Sequence, residues 1–222
     1  MRTSFLKKEE LAAMDITHTA NGLQIARTRQ RLLLTRLFGL TILSLVVFGS
    51  SFWTGGATLF DDMLFLVGLL LAVVGVCGRL WCLSYICGQK KRVLITTGPY
   101  SLCRHPLYFF SFVGGIGLGL CTEMLSVAGI FALAFALYYP PAIRGEEAFL
   151  SGNFPDYEEY RKRVPLFFPR LSNFVEGEGT LCVRRFRREL MAAGGFLLFI
   201  GVFELLEALH EASVLPTYFL LP

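Results

Sequence analysis

Charged side chains are scarce in this chain. Asp, Glu, Lys and Arg make up 17% of its 222 residues, while 54% are hydrophobic. An ordinary soluble domain carries about one quarter charged residues, so that class is excluded. Histidine occurs three times and tryptophan twice. The six cysteines, Cys77, Cys82, Cys87, Cys103, Cys121 and Cys182, form no C-x-x-C pair. Neither a disulfide framework nor a zinc site is therefore expected, and most of the six read as small buried hydrophobes. There is no G-x-G-x-x-G nucleotide fingerprint, internal repeat or low-complexity tract. The first 30 residues lack the apolar core of a cleavable signal peptide, which leaves insertion to the first hydrophobic segment.

What the chain does have is apolar runs. Five stand out: Leu37–Trp53, Met63–Gly78, Leu107–Cys121, Met124–Ile143 and Leu190–Phe203. A spanning helix needs about 20 mostly apolar residues. The second run reaches that length by continuing past Arg79 to Cys87, and the fifth by including Glu204 or Glu207. The expected fold is an all-α integral membrane protein with about five transmembrane helices. Only Thr122-Glu123 separates the third run from the fourth, which predicts a tight helical hairpin there. Within it, Gly115 and Gly119 have the G-x-x-x-G spacing that lets helix backbones approach closely in lipid.

Basic residues are confined to alternate loops. Seven precede the first run, five lie between Arg79 and Arg104, and nine lie between Arg144 and Arg188, which accounts for all 21. Five spans with a cytoplasmic N-terminus follow from the positive-inside rule, with the C-terminus on the opposite side. The net charge of +4 then reflects topology and contact with anionic lipid rather than nucleic-acid binding. Residues 1–36 form a basic cytoplasmic segment, and 37–222 one membrane domain. After Ile143 the pattern turns amphipathic, with Phe149, Leu150, Phe154, Tyr157, Tyr160 and Val164 recurring. Pro155 divides this stretch into two short helices.

Two clusters carry the chemistry. The first is Gly98-Pro99-Tyr100-Ser101-Leu102-Cys103-Arg104-His105-Pro106-Leu107-Tyr108. Pro106 suits the first turn of a helix, which places Arg104 and His105 at the N-terminal mouth of the third span. Free N–H groups and the helix dipole favour anions there, and a guanidinium adds a bidentate grip on a carboxylate. The second cluster, Glu146-Glu147, is returned to the same membrane face by the hairpin. An acidic pair beside a basic pair complements a zwitterion with an extra positive centre, as in S-adenosyl-L-methionine. Tyr100 and Tyr108 could pack on such a ligand's adenine or sulfonium. Taken one at a time, Arg104 could simply mark the interface, and the two glutamates could be solvated surface charge.

Together these elements resemble the isoprenylcysteine carboxyl methyltransferase and phospholipid methyltransferase group of integral-membrane enzymes. The resemblance runs through Arg79-Leu80-Trp81, Val93-Leu94-Ile95, Gly98-Pro99-Tyr100, Arg104-His105-Pro106-Leu107-Tyr108, Glu146-Glu147, Phe154/Tyr157/Tyr160, Val164-Pro165 and Pro169. It covers about residues 75–170. It implies a cytoplasmic pocket for S-adenosyl-L-methionine lined by Arg92, Val93, Leu94, Ile95, Tyr100, His105, Pro106, Leu107 and Tyr108, completed by Glu146 with Glu147 nearby. Arg104 and Glu146 would carry catalysis, Arg104 by holding a donor or acceptor carboxylate. No metal is implied. The implied partners are the bilayer and a lipophilic or lipid-linked methyl acceptor, most simply the carboxylate of a prenylated cysteine. Two positions depart from the pattern: Phe110 stands where a small residue is common, and Ala142 where an arginine often precedes the first glutamate.

Two other readings compete. Membrane sterol-type reductases that use NADPH share a similar bundle and an Arg-His-Pro-like segment. Their distal tryptophan-containing segment has no counterpart at Phe154–Tyr160. A catalytically inactive membrane adaptor would fit Phe110 and Ala142, but not the intact Arg104, His105, Glu146 and Glu147.

Overall fold

The computed structural model describes residues 37, 39–51, 58–87, 93–179, 182–212, 214 and 219–221. Arg92 lies outside them, as does the basic segment 1–36. The chain divides into two compact units, Met1–Val47 and Phe48–Pro222. The described part of the first is essentially one apolar helix, α1 (Gly39–Phe48), whose last residue begins the second unit.

The second unit opens with strand β1 (Gly49–Ser51), followed by helix α2 (Thr58–Ile86) and the short helix α3 (Pro99–Leu102). Helices α4 (Pro106–Leu120), α5 (Leu125–Asn153) and α6 (Tyr157–Arg163) come next. A 3-10 turn (Leu171–Asn173), helix α7 (Val183–Glu211) and strand β2 (Phe219–Leu221) complete it. The strands pair in parallel, with Gly49 opposite Phe219. This pair is a small addition to the all-α expectation. It satisfies backbone groups where the chain leaves its helices, which matters most in apolar surroundings.

Three of the five apolar runs become helices long and apolar enough to cross a membrane: Leu59–Ile86, Leu125–Asn153 and Val183–His210. Their outward faces carry Leu66, Leu70, Leu133, Leu137, Leu197 and Leu198, all well exposed, as lipid contact requires. Helix α4 is short for a physical reason. Pro106 sets its start, and the Cys121–Met124 turn sets its end. Its 15 residues rise about 22 Å, against a hydrocarbon thickness of about 30 Å. In the turn, Glu123 adopts φ 57° and the Thr122 hydroxyl donates to the Gly119 carbonyl at 2.8 Å. Helix α5 does not stop near Ile143 but runs on to Asn153, with Pro140 and Pro141 inside it. Glu146 and Glu147 therefore sit on the same rigid helix as the apolar run. Pro155 does break the chain, and α6 follows as a separate helix.

The glycines of α4 set its packing. A Cβ on Gly117 would come within 2.4 Å of the Ala72 nitrogen and 2.6 Å of the Gly68 carbonyl, both on α2. One on Gly119 would meet the Ala128 Cα of α5 at 2.6 Å. A Cβ on Gly115 would meet the Phe135 ring at 2.6 Å. Close approach on both sides thus holds α4 between α2 and α5.

One cysteine expectation fails. Cys87, just beyond α2, and Cys182, the N-cap of α7, form a disulfide across 95 residues of sequence. Their pairing depends on the two helix ends meeting in space, which no local spacing shows. Cys82, Cys103 and Cys121 are buried and free, as the hydrophobic reading has it.

Overpacking an interface typically costs about 1–3 kcal/mol. Gly117→Ala should lower stability by that amount in thermal unfolding of the detergent-solubilised protein. Gly129→Ala, where an added Cβ meets nothing within 4 Å, should change it by less than about 0.5 kcal/mol.

Candidate functional site

The segment from Gly98 to His105 is held from both sides. Gly98 adopts φ 59°, and a Cβ there would meet the Tyr85 ring at 2.4 Å; only glycine fits. Pro99 then starts α3 and Pro106 starts α4 with His105 as N-cap, so Arg104 and His105 do stand at the mouth of α4. Across this segment runs a strap, residues 164–177. Arg104 and His105 donate their backbone N–H groups to the carbonyls of Pro165 and Leu166, at 2.9 and 3.3 Å. Gly98 donates to the Val175 carbonyl at 2.8 Å and Arg170 to the Leu102 carbonyl at 3.0 Å. The Ser101 hydroxyl accepts from the Val175 N–H at 2.9 Å and donates to the Gly98 carbonyl at 2.7 Å. The Tyr85 hydroxyl holds the strap's far end through the Gly177 carbonyl at 2.8 Å.

Glu147 is the centre of the site. Arg104 Nη1 donates to its two oxygens at 2.7 and 2.5 Å. The Tyr157 hydroxyl donates to Oε1 at 2.5 Å, and His105 Nε2 lies 3.0 Å from the same oxygen. Arg161 Nε approaches Oε2 at 3.9 Å. On the opposite side of the imidazole, Glu146 Oε2 is 3.7 Å from Nδ1. The two carboxylates therefore bracket one ring. The His105 side chain is 3% exposed, Glu147 17% and Glu146 40%. Glu147 is thus bound into the protein, whereas Glu146 keeps a face toward the exterior.

Of the other expected residues, Tyr108 and Leu94 adjoin this network. The Tyr108 ring lies 5.8 Å from that of His105. Leu94 packs into the buried cluster of Tyr157, Tyr160 and Val164. Tyr100 is half-buried with its hydroxyl inside; its carbonyl accepts from the Tyr160 hydroxyl at 2.7 Å. Pro106 is buried and Leu107 half-buried, the latter's carbonyl accepting from Ser111 at 2.7 Å. Ile95 is half-buried and Val93 exposed. Two buried polar atoms beside the network lack a partner, the Tyr100 hydroxyl and Arg104 Nε. Burying an unpaired polar group is costly, so both suit a ligand that completes them. Cys103, between them, is no nucleophile: burial pushes its thiol up to about 12. A cleft of about 470 Å³ is bordered by both this segment and the strap, lined by Thr96, Thr97, Ser101, Tyr160, Asn173 and Phe174 among others.

Sequence reasoning missed Tyr157 and Arg161 as partners of Glu147, because the recurring aromatics read as a packing stripe. It also missed the strap, since its bonds are made by backbone. Phe110, the departure from the family pattern, seats its ring directly on Gly78, where an added Cβ would fall 2.1 Å from it.

The model of the phospholipid methyltransferase family matches residues 56–157. The nickel-cobalt-cadmium resistance protein NccN of Alcaligenes xylosoxydans xylosoxydans is 45% identical over 197 residues, covering 88% of this chain and 91% of NccN. The cobalt-zinc-cadmium resistance protein CzcN of Cupriavidus metallidurans is 43% identical, covering 85% of this chain and 87% of CzcN. The protein-S-isoprenylcysteine O-methyltransferase of Mus musculus is 31% identical over 123 residues, 50% of this chain and 41% of that enzyme. No solved structure matches the chain.

Removing one partner of a buried ion pair costs about 3–5 kcal/mol. Glu147→Ala should cost about 3 kcal/mol in detergent unfolding, the low end, because the carboxylate keeps some solvent contact. The Tyr157 phenol, pushed up to about 12 by burial and by donating to Glu147, favours its neutral form in the folded protein. Its contribution is complete below the ordinary phenol value of 10 and is lost as pH rises through about 12. Stability measured against pH should fall across that window, and Tyr157→Phe should flatten the fall.

Proposed function

The chain belongs to the phospholipid methyltransferase family, a group of membrane methyltransferases, and from that premise we propose that it transfers a methyl group from S-adenosyl-L-methionine to a lipophilic, membrane-associated acceptor. The observation that carries this reading is the bracketing of His105 by Glu146 and Glu147 at the mouth of α4, with Arg104 locked to Glu147. The two unpartnered atoms fit the donor's amino-acid end: Arg104 Nε and the Tyr100 hydroxyl would donate to its carboxylate. Glu146, with its exposed face, would take its ammonium. The neighbouring cleft has polar groups at Thr96, Thr97 and Asn173 and the Phe174 ring for the nucleoside part.

When bound, this donor supplies a methyl carbon on a sulfonium. The residues here hold and orient; their contribution is alignment, worth roughly 7–11 kcal/mol in favourable cases. With a carboxylate acceptor, an oxygen–carbon bond forms as the carbon–sulfur bond breaks, and the electron pair stays on sulfur. No proton moves, so no base is needed. Opposite charges partly cancel on the way, which favours a site screened from water. The acceptor we favour is a prenylated-cysteine carboxylate or a similar lipophilic acid. The names of NccN and CzcN speak of resistance to nickel, cobalt, zinc and cadmium, and we assign the proposed methylation to that physiological setting.

We place the Arg104–Glu147 face in the cytoplasm, with five spans and the C-terminus outside, on the confinement of all 21 basic residues to alternate loops.

Binding of S-adenosylmethionine, S-adenosylhomocysteine and NADPH to the purified protein tests the activity. The adenosyl ligands should bind. His105→Ala and Glu146→Ala should weaken them at least about tenfold, consistent with loss of a charged contact, while the exposed Glu158→Ala leaves them unchanged. Binding of NADPH alone would replace this reading with the reductase.

A further inference from the structure

Beneath the Glu147 network the helices enclose a second group of polar side chains. Arg79 of α2 meets Glu189 of α7 through a fork, Nη2 to Oε1 at 2.8 Å and Nε to Oε2 at 3.1 Å. Its Nη1 donates to the hydroxyl of Ser111 on α4, which donates onward to the Leu107 carbonyl. Charged groups among apolar spanning helices are expensive and mark sites by default. A pair that only fastened α2 to α7 would be closely packed around. This one borders a cavity of about 350 Å³, more than ten times the roughly 30 Å³ of one water.

The cavity wall states the ligand's chemistry. Its polar edge is Arg79, Ser111 and Glu189, and the remainder includes the rings of Phe110, Phe131 and Phe196. A guanidinium fork matches a carboxylate, and Glu189 occupies that fork in the structure. Glu189 can be replaced there, because Arg185 lies four residues earlier on the same helix face, within reach of a released carboxylate. The position also suits reaction with the upper site. Ser111 is six residues along α4 from His105, about 9 Å in helical rise. Tyr139 lines the cavity, and its ring lies 4.8 Å from that of Tyr108, which neighbours His105.

We propose that this cavity is the acceptor-head site, in which Arg79 exchanges Glu189 for the carboxylate of a lipophilic acid whose apolar chain lies against the phenylalanines. The role as acceptor site rests on the methyl-transfer reading above; the binding does not.

The test is calorimetric titration of the full chain in phosphatidylcholine nanodiscs with N-acetyl-S-farnesylcysteine and with its neutral carboxamide. The acid should bind at least about tenfold more tightly than the amide. Arg79→Gln should abolish that preference, and Arg79→Lys, which keeps the charge but not the fork, should reduce it. Glu189→Gln should tighten the acid, because its competitor is gone. A purely structural ion pair would instead weaken binding in both Arg79→Gln and Glu189→Gln. That result, or equal affinity of acid and amide for the unaltered protein, overturns the proposal. If Arg79→Gln fails to fold, the acid–amide ratio and Glu189→Gln still decide. S-adenosylmethionine affinity in the same nanodiscs separates the two claims. Normal donor binding without an acid preference sinks this site alone, whereas an acid preference without donor binding leaves the site and sinks the methyl-transfer reading.

Discussion

A carboxylate drawn out of water must be matched by donors, and Glu147 is matched from three directions at once. Arg104 and His105 reach it from the mouth of α4, Tyr157 from the start of α6 and Arg161 one turn further on. Arg104 and His105 are 43 and 42 residues away on one side, and Tyr157 ten on the other. The carboxylate therefore ties the membrane bundle to the segment that follows it. Leaving such a charge unpaired costs several kcal/mol, so the ends of α4, α5 and α6 are specified together rather than separately. The backbone strap over Gly98–His105 serves the same end, fixing the loop so that Arg104 and His105 meet the carboxylate in one geometry.

The glycines of α4 set where that site stands relative to the apolar helices. Gly114 and Gly117 bring the helix against α2, and Gly115 and Gly119 bring it against α5. Such approach gives contact energy between helices in lipid, where no hydrophobic force draws them together. It also places the N-terminus of α4, with the Arg-His pair, among its neighbours. Below it, the Arg79–Glu189 fork joins α2 to α7, and the disulfide joins the end of α2 to the start of α7. Among the described residues, the partly buried ion pairs thus stand at two levels, one at the mouth of α4 and one about two turns along it.

The adjacency of Arg104 and His105 to a helix start was legible in the sequence, because Pro106 has few other places to go. The coming together of the basic and acidic clusters was legible too, because a hairpin of two apolar runs must return the chain to its starting face. Which glutamate is the hub was not. Glu146 and Glu147 are adjacent, and the choice depends on a helix that continues unbroken through Pro140 and Pro141 and so sets the direction of each side chain. Tyr157 could be recognised as a buried aromatic but not as a donor to Glu147, since its hydroxyl's direction follows from how α6 turns back after Pro155.

By itself, the sequence determined the apolar helical character of the chain, the segregation of its basic residues and the chemical type of its principal cluster. These properties are read from local composition and from the periodic demands of lipid and helix. The tertiary structure decided the lengths of the helices, the pairing of Cys87 with Cys182, the fork between Arg79 and Glu189 and the central position of Glu147. The pairings join residues distant in the chain, and only the packing of the helices against one another brings them within hydrogen-bonding or covalent range.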